Sequence, residues 1–471
     1  MKYLIWPISL FIAEYFSMKF PVYYGLRIQL YIYIIFILIS LVQLKGLIPK
    51  SIFNKKVIGF ISVLLVMQLI SMILSYYRIE IPKYNKNPII TFIGFVGFIG
   101  AILVHYLVIK LNIRDIGDVK KFLRSGRIAL AISFFVCLVQ LFYIFIPFVF
   151  EPLVSLIGST LEARWGGKEA NLNPQSFYKL GSYVQTTLRI NGLTEEASNL
   201  ATQFFVVFSP FLIASIKNKY NVFSNNKKSI GSLYCGVFLI IVLLIMAKTT
   251  SGFLFAAIIL LLLFKEFSKM QKIFIVLFLT LIVLILISSN YNITYISNVF
   301  NDFIVNKSED SVNNRSASTI ALGITLFANF IFGVGFEYHS YYIYKYWPEW
   351  ANFNYEYFLW EKQESFPILS NIMGMFAEYG TIIMIFVIIY VIKRVKILRR
   401  ISEEAIVLNI SEAIFIKTLY DSAKYYFVFL CIGLLFSFVW FTSIYLILFF
   451  FFVSIIPIIE KHLNNWKGNN K

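Results

Sequence analysis

Uninterrupted apolar runs of about 20 residues, the length of a membrane-crossing helix, recur along this chain from one end to the other. A helix of that length crosses the roughly 30 Å of hydrocarbon in a bilayer. The runs are continuous rather than alternating, which excludes the pattern of a transmembrane β-barrel. Of the 471 residues, 59% are hydrophobic and 14% are charged, whereas soluble proteins carry about 25% charged residues. We therefore predict an all-α polytopic membrane protein, with residues 1–471 forming a single integral membrane domain.

The apolar runs predict about twelve spans. They lie near residues 3–18, 26–44, 57–76, 89–109, 128–150, 194–216, 230–247, 250–264, 273–289, 367–392, 424–441 and 443–459. The first is short and contains Glu14, and the last two divide one run at a turn near Trp440–Ser443, so the predicted range is about ten to twelve spans. The first run lacks a small-x-small cleavage site, which favours a retained helix over a signal peptide. Cys137, Cys235 and Cys431 all lie in apolar segments, which argues against a disulfide framework.

The net charge of +18 does not require a nucleic-acid partner, because Lys and Arg gather in the cytoplasmic loops of membrane proteins. Loops on the side of the N-terminus contain about twice as many of these residues as the other loops. This bias predicts that both termini are cytoplasmic and that two long loops, 151–193 and 290–367, are extracytoplasmic. Basic residues between Lys393 and Arg400 follow a span, and we expect them to bind anionic lipid headgroups. A regulatory role for this cluster is the alternative.

One polar stretch, from Leu188 to Ser198, leads into a predicted span and contains several charged residues. Thr194 is a candidate N-cap, with Glu195 and Glu196 in the first helical turn, where carboxylates suit the positive end of the helix dipole. Arg189 stands just before them, and an arginine can bind a diphosphate bidentately. The alternative is that Arg189 pairs with one of the two glutamates.

The polar interval from Asn290 to Pro367 contains the other candidate residues of an outer loop. Arg315 lies just before a predicted helix, Ala317–Phe330, and is either an anion-binding residue or an ordinary solvated arginine. His339 is a candidate general base because histidine takes a proton near neutral pH, and Glu337 is an alternative base. About half of the residues from Tyr338 to Trp360 are aromatic, which is typical of a membrane-interface segment and also of a sugar-binding groove.

Ionisable residues within spans are functional candidates by default. Glu378 lies inside the tenth predicted span and must face protein there, either in a functional site or in a packing hydrogen bond. Glu14 has a weaker case, and Lys248 is predicted on a tight turn between two spans. No outer loop contains the Asp/Glu-x-Asp/Glu spacing of a metal-dependent glycosyltransferase, no phosphate-binding glycine loop is present, and no His/Cys cluster suggests zinc.

Six short motifs follow one another between residues 189 and 380 of the chain. They are Arg189-x-x-Gly192-x-x-x-Glu196, Lys248-Thr249-Thr250-Ser251-Gly252, Asn314-Arg315-Ser316, Phe332-Gly333-Val334-Gly335, Leu369-Ser370-Asn371 and Ala377-Glu378-Tyr379-Gly380. In this order, between many short-looped spans, they resemble the O-antigen polymerase/ligase superfamily, which comprises Wzy-type polysaccharide polymerases and O-antigen ligases. The resemblance covers roughly residues 180–400 by motif and the rest of the chain by topology.

The resemblance implies a GT-C-like fold in a bacterial cytoplasmic membrane and metal-independent glycosyl transfer without a cofactor. Donor and acceptor would both be undecaprenyl-diphosphate-linked glycans, among membrane lipids, and the expected protein partners are a chain-length regulator and a flippase of the same pathway. Arg189 and Arg315 would be the diphosphate clamps, and Glu196 would shape the site. Glu195, Glu337, Glu378 and Lys248 would be further substrate-binding residues, and His339 the candidate base.

The chain departs from the family in three places. Family members often have Glu-Pro where this chain has Glu196-Ala197, and many have an arginine after the serine where it has Ser251-Gly252, a charge that Lys248 would supply. The histidine motif that ligases carry late in the large loop is absent from Gln363-Glu364-Ser365-Phe366-Pro367. The resemblance therefore implies a polymerase of surface polysaccharide. An O-antigen ligase, a flippase for lipid-linked oligosaccharides and a non-enzymatic scaffold are the alternatives.

Overall fold

The computed structural model describes residues 4–12, 22–44, 55–164, 177–224, 230–266, 272, 309–436 and 440–469. Every regular element in these ranges is a helix. We label the longer helices in chain order as α1 (Val22–Gln43), α2 (Lys55–Arg78), α3 (Pro88–Asn112), α4 (Ile116–Phe145), α5 (Pro147–Thr160), α6 (Ala197–Lys217), α7 (Ile230–Met246), α8 (Thr250–Glu266), α9 (Glu309–Ala328), α10 (His339–Lys345), α11 (Tyr355–Lys362), α12 (Asn371–Val407), α13 (Ala413–Gly433) and α14 (Ser443–Asn469). Shorter helical segments are Ile5–Pro7, Ile8–Ile12, Pro82–Tyr84, Tyr183–Thr187 and Glu349–Ala351.

Six of the described helices are long and apolar enough to cross a membrane, namely α2, α3, α4, α6, α12 and α14. Two shorter apolar helices are Leu30–Gln43 and Gly231–Met246. These helices agree with the predicted all-α polytopic membrane protein. The number of spans stays a prediction, because the predicted span 273–289 lies outside the described residues, as do Glu14 and residues 290–308 of the long polar interval.

The predicted span 128–150 has the wrong boundaries. The helix α4 begins earlier, because the Asp115 carboxylate caps its N-terminus by accepting a hydrogen bond from the Asp118 N–H at 2.7 Å. It ends at Phe145, since Pro147 has no N–H for a continuing helical hydrogen bond. Charged residues in the first turns of α4 made this part of the sequence read as a loop.

The predicted cytoplasmic loop 393–424 is also largely helical. The helix α12 continues through the basic cluster to Val407, and α13 begins at Ala413. Ion pairs stabilise the charged half of α12, including one between Arg399 and Glu403 at 2.8 Å, four residues apart on the helix surface. The turn predicted near Trp440–Ser443 is confirmed, because α13 ends before it and α14 begins at Ser443.

The helices pack into two main hydrophobic cores. The first core lies among α4, α6, α7, α8, α13 and α14. The second core joins α2, α9 and α10. Two helices contribute to both: α3 places Phe95 in the second core and Val108 in the first, and α12 places Ala377 in the second and Leu398 in the first. The polar interval is therefore no free loop in its described part, since α9 and α10 pack against candidate membrane spans.

The connection between α3 and α4 orients the two cores. Only residues 113–115 join these two candidate spans, and so short a connection makes neighbouring helices antiparallel. The beginning of α3 and the end of α4 therefore lie at the same end of the molecule, which we call the site end. Which end faces the outside of a cell stays a prediction.

The helix α6 is almost wholly enclosed by other helices, since 94% of its most apolar stretch is buried. Its middle, Phe204–Phe208, forms a π-helical turn between two α-helical parts. Such turns are rare and occur most often near functional sites. Ring stacking holds this turn in place: Phe205 lies 4.1 Å, centroid to centroid, from both Phe255 of α8 and Phe429 of α13.

Candidate functional site

A buried glutamine of α4 holds the Arg189–Glu196 stretch at the site end. Gln140 has no exposed surface. Its Oε1 accepts hydrogen bonds from the backbone N–H groups of Asn191, at 3.2 Å, and Gly192, at 2.7 Å. Its Nε2 donates to Asn191 Oδ1 at 3.0 Å and to the Gly192 carbonyl oxygen at 2.9 Å. Four hydrogen bonds from one side chain fix the backbone just after Arg189.

A second buried side chain, the carboxyl of Glu162, fixes the same stretch from the other direction. Glu162 is fully buried, and its Oε1 accepts from Asn191 Nδ2 at 2.5 Å and from the Tyr183 N–H at 3.0 Å. Burial raises the pKa of the Glu162 carboxyl to about 7, although these hydrogen bonds favour the charged form. The carboxyl therefore carries its proton below neutral pH.

Arg189 contacts the turn between α7 and α8. Its Nε donates to the Ala247 carbonyl oxygen at 3.2 Å. The backbone N–H of the next residue, Ile190, donates to the Met246 carbonyl oxygen at 3.4 Å. Lys248 follows in the same turn, buried and with a left-handed backbone of φ +51°. The tight turn predicted at Lys248 is confirmed. Two motifs that lie far apart in the sequence are thus brought together.

The beginning of α8 adds its positive end to this place. Thr249 Oγ1 accepts a hydrogen bond from the Gly252 N–H at 2.9 Å, which is the bond made by an N-cap residue. A Cβ on Gly252 would lie 2.5 Å from the Leu244 carbonyl oxygen. No side chain fits there, which explains why this chain has glycine after Ser251. The positive end of a helix dipole attracts anions.

Glu196 lies at the start of α6, on the same side as Arg189. It occupies the N-cap position, and its carboxylate accepts a hydrogen bond from the Ser198 hydroxyl. Burial raises the pKa of the Tyr183 hydroxyl, the Arg189 guanidinium opposes this change and the Glu196 carboxylate adds to it. Both charged groups therefore act on the same tyrosine. We call Arg189, Glu196, Lys248 and the beginning of α8 the turn site.

The predicted capping role of Thr194 is wrong. Its hydroxyl donates to the carbonyl oxygens of Asn191 and Glu196 instead of accepting from the first turn of the helix. The helix begins three residues later, at Ala197, because the hydrogen bonds of Gln140 and Glu162 hold the preceding backbone in a turn. Glu195 accepts a hydrogen bond from Asn199 Nδ2 at 3.2 Å.

A second candidate site forms where α12 is interrupted. Gly380 has non-helical backbone angles, φ +77° and ψ 160°, so that carbonyl groups of the preceding turn are released. The Ala377 carbonyl accepts from the Val334 N–H at 2.8 Å, and the Glu378 carbonyl accepts from the Gly335 N–H at 3.0 Å. A Cβ on Gly333 would lie 2.5 Å from the Glu378 carbonyl oxygen. The glycines of this motif therefore allow two backbones to touch.

This backbone contact positions His339 and Glu378. His339 Nδ1 lies 2.6 Å from Glu378 Oε1, and the same oxygen accepts from the Glu337 N–H at 3.0 Å. The side chains are 18% and 9% exposed, respectively. A carboxylate on Nδ1 orients the imidazole and leaves Nε2 to accept a proton. We call these two residues the pair site, and Glu378 faces protein, as predicted.

A second fully buried glutamine, Gln68 of α2, supports the pair site. Its Nε2 donates to the Glu378 carbonyl at 3.1 Å, and its Oε1 accepts from the Phe336 N–H at 2.9 Å. Glu337, the alternative base, points elsewhere: its carboxylate forms an exposed ion pair with Lys86 at 3.0 Å.

The prediction that Arg315 lies just before a helix is wrong, because Arg315 lies within α9. The polar residues around it read as a loop, yet tertiary contacts make them helical: Asn314 is buried and donates to Glu356 Oε2 at 2.7 Å and to Asn354 Oδ1 at 3.2 Å. Arg315 itself is half-buried, and its guanidinium has no hydrogen bond or ion pair with any described residue. Ala328, at the end of α9, lies next to the glycine motif, and Arg315 is about 20 Å from Ala328 along the helix. Arg189 adjoins the first core through Ile190, and Arg315 adjoins the second core through Ala317.

The aromatic run is divided between core and surface. Tyr338, Tyr342 and Trp347 are buried in the second core and are closed to a sugar ring. Trp350 and Phe353 are 52% and 80% exposed. The groove that the sequence suggested is thus restricted to the exposed members of the run.

Three residues of these sites escaped the sequence analysis, namely Gln68, Gln140 and Glu162. The first two carried a signal, since each is a glutamine inside an apolar run and polar groups at membrane depth need partners. Among the described residues, no group of three or more His, Cys, Asp or Glu side chains is placed to hold a metal ion.

Comparison of the chain with models of protein families, with curated proteins and with solved structures finds no match.

Proposed function

We propose that this protein is a polymerase that joins undecaprenyl-diphosphate-linked oligosaccharide units into a surface polysaccharide. The observation that carries the proposal is the contact of Arg189 Nε with the Ala247 carbonyl, which brings Arg189 to the turn of Lys248 and the positive end of α8. Two cations and a helix N-terminus in one place suit a diphosphate. The resemblance of the sequence motifs supplies the substrate class.

In the proposed reaction, a hydroxyl oxygen of the acceptor glycan attacks the anomeric carbon of the donor's reducing-end sugar. The bond from that carbon to the diphosphate oxygen breaks, and undecaprenyl diphosphate leaves with the electron pair. The turn site stabilises the negative charge that develops on the leaving group, and the loss of such a contact costs about 10²–10³ in rate. The hydroxyl proton passes to a base.

His339 is the base in this proposal. Glu378 holds its Nδ1 at 2.6 Å, so that Nε2 is the nitrogen that accepts the proton. Glu337 is the weaker candidate, because Lys86 neutralises it in an exposed ion pair. Replacement of His339 by Ala should slow polymerisation by about 10²–10³, while Glu337→Gln should leave the rate within about twofold.

Arg315 takes a separate role. Polymerisation needs two lipid-linked diphosphates, one on the donor and one on the acceptor. Arg189 and Arg315 adjoin different cores, and Arg315 has no protein partner among the described residues. We assign the donor diphosphate to the turn site and the acceptor diphosphate to Arg315. A ligase would need only one such site.

The test is a ladder assay with purified protein and synthetic lipid-linked repeat units. Arg189→Ala and Lys248→Ala should each lower the rate of ladder formation by about 10²–10³. Arg315→Ala should raise the acceptor concentration at which ladder formation reaches half of its maximal rate. Lys179→Ala, which removes an exposed cation of the same loop, is the matched control and should leave the rate unchanged. Ladders at the wild-type rate from both turn-site variants would refute the assignment.

A flippase is the second candidate, favoured by one observation. The interruption of α12 at Gly380, next to the buried His339–Glu378 pair, is a feature of transporters, whose broken helices carry ionisable groups at membrane depth. A strain that lacks the protein separates the two functions. Single repeat units at the cell surface indicate a polymerase, and units trapped inside indicate a flippase.

A further inference from the structure

A groove lies along α4, remote from both candidate sites. It has a volume of about 790 Å³ and is lined by one face of α4 together with Phe223 and Ser224, which follow α6. The α4 residues of the groove recur at helical spacing, from Arg124 and Arg127 through Ile128 and Ile132 to Phe135. Gln140, which supports the turn site, is about 20 Å further along the same helix from Arg127.

The two arginines lie at the polar end of this groove. Both are exposed, and neither guanidinium has a hydrogen bond or ion pair with a described residue. From Ile128 to Phe150 the chain contains no charged residue. Arg124 and Arg127 therefore stand at the boundary between the charged beginning of α4 and its membrane-crossing part, which is the depth of lipid phosphates.

The part of the groove that follows Arg127 along α4 is apolar. Ile128, Ile132 and Phe135 are 49%, 37% and 60% exposed, and they extend about 12 Å from Arg127 towards the middle of the candidate span. This is the direction in which an acyl chain continues from its headgroup. Phe223 forms the other wall and is itself fixed, since its ring lies 5.8 Å from that of Phe211 in the first core.

We propose that this groove binds one anionic phospholipid, with its phosphate on Arg124 and Arg127 and one acyl chain along Ile128, Ile132 and Phe135. Charge complementarity selects this occupant. Arg124 and Arg127 lie within one helical turn, have no hydrogen bond or ion pair with a described residue, and suit bidentate binding of a phosphate. The headgroup of phosphatidylglycerol brings no ammonium group to oppose them, whereas that of phosphatidylcholine does. The site is independent of the proposed polymerase activity.

The experiment is a lipid titration of the full-length protein followed by native mass spectrometry. The probes are dioleoyl-phosphatidylglycerol and dioleoyl-phosphatidylcholine, which share their acyl chains. Wild-type protein should retain one phosphatidylglycerol more tightly than phosphatidylcholine. The double variant Arg124→Gln/Arg127→Gln should lose on the order of 30-fold in phosphatidylglycerol affinity and bind phosphatidylcholine as before.

Two further variants test the groove itself. The matched control Lys417→Gln/Lys424→Gln removes two exposed cations of α13 and should retain phosphatidylglycerol. Ile132→Trp fills the groove without a change of charge and should weaken phosphatidylglycerol on the order of tenfold. Thermal melting of each variant should match that of the wild type, which shows that the fold is intact.

The proposal is overturned by any of four results. The first two are wild-type phosphatidylglycerol affinity in the arginine variant and an equal loss of affinity in the lysine control. The third is displacement of the lipid by millimolar inorganic phosphate, which would indicate a site for free anions. The fourth is tighter binding of undecaprenyl phosphate than of phosphatidylglycerol.

Discussion

The turn site and the pair site are each supported by one fully buried glutamine, but the two glutamines act on different kinds of loop. Gln140 makes four hydrogen bonds to Asn191 and Gly192. Gln68 makes two, one to the Glu378 carbonyl and one from the Phe336 N–H. At the turn site, side chains carry the structure. At the pair site, most of it is carried by backbone groups that meet between glycines.

The difference has a physical consequence for tolerance to mutation. A side-chain network loses stability in steps, because each hydrogen bond contributes about 0.5–1.5 kcal/mol and can be lost alone. A contact between two backbones has no such steps, since one added carbon displaces both chains. The pair site should therefore fail abruptly where the turn site weakens by degrees.

The largest effect is expected at Gly380. In Gly380→Ala, the new Cβ would lie 2.4 Å from the Ile331 carbonyl oxygen, at a backbone φ of +77° that disfavours any side chain. We expect a loss of at least about 4 kcal/mol in the free energy of unfolding, measured by denaturant unfolding in detergent. The matched control is Gly323→Ala in α9, where a Cβ meets nothing within 4 Å. This substitution should raise the free energy of unfolding by up to about 1 kcal/mol, because alanine favours the helix over glycine. Equal stability of the two variants would show that the backbones can separate.

The two glutamines allow a direct comparison of intermediate size. Gln140→Leu keeps the side-chain volume and removes four hydrogen bonds, and we expect a loss of about 4 kcal/mol in the free energy of unfolding. Gln68→Leu removes two, and the expected loss is about 2 kcal/mol. The same unfolding measurement ranks them. A larger loss at Gln68 than at Gln140 would contradict the view that backbone contacts carry most of the pair site.

A pH-dependent effect is expected at Glu162, which supports the turn site. The pKa of Glu162 is raised from 4.5 to about 7 in the folded protein, so the folded state holds a proton that the unfolded state has released between these values. The free energy of unfolding should therefore fall by about 3 kcal/mol as pH rises from 4.5 through 7. Glu162→Gln, which is neutral and of the same shape, should lack this part of the pH dependence in melting curves.

The control for this prediction is Glu151→Gln, on the exposed surface of α5, which should keep the wild-type pH dependence. If Glu162→Gln keeps it as well, Glu162 is charged in the folded protein and the burial argument is wrong.

The sequence predicted the class of fold and the neighbourhood of both sites, because apolar runs and polar interruptions are local signals. Spans near 57–76 and 89–109 agree with α2 and α3. The start of α9 was wrong because Asn314 is made helical by Asn354 and Glu356, and such tertiary contacts override local preference.

The supporting residues were beyond local signals for the same reason. Gln68 stands out as a glutamine in an apolar run, yet its partner Glu378 is 310 residues away in the sequence. Nothing in a single sequence connects such positions. Likewise, the contact between Arg189 and Ala247 spans 58 residues, and it required the packing of α6, α7 and α8 to be known.

The π-helical turn Phe204–Phe208 determines where the chain can change its length. A π turn contains one residue more than an α turn. The side chains before and after this turn therefore point in the directions that they would have in a continuous α-helix without the extra residue. Deleting one residue within this turn would leave Glu196 and Ser215 on their present faces, whereas deleting one in the neighbouring turns would rotate one half of α6 by about 100°. An alignment with any relative should therefore accept a single-residue gap at Phe204–Phe208 and nowhere else in α6.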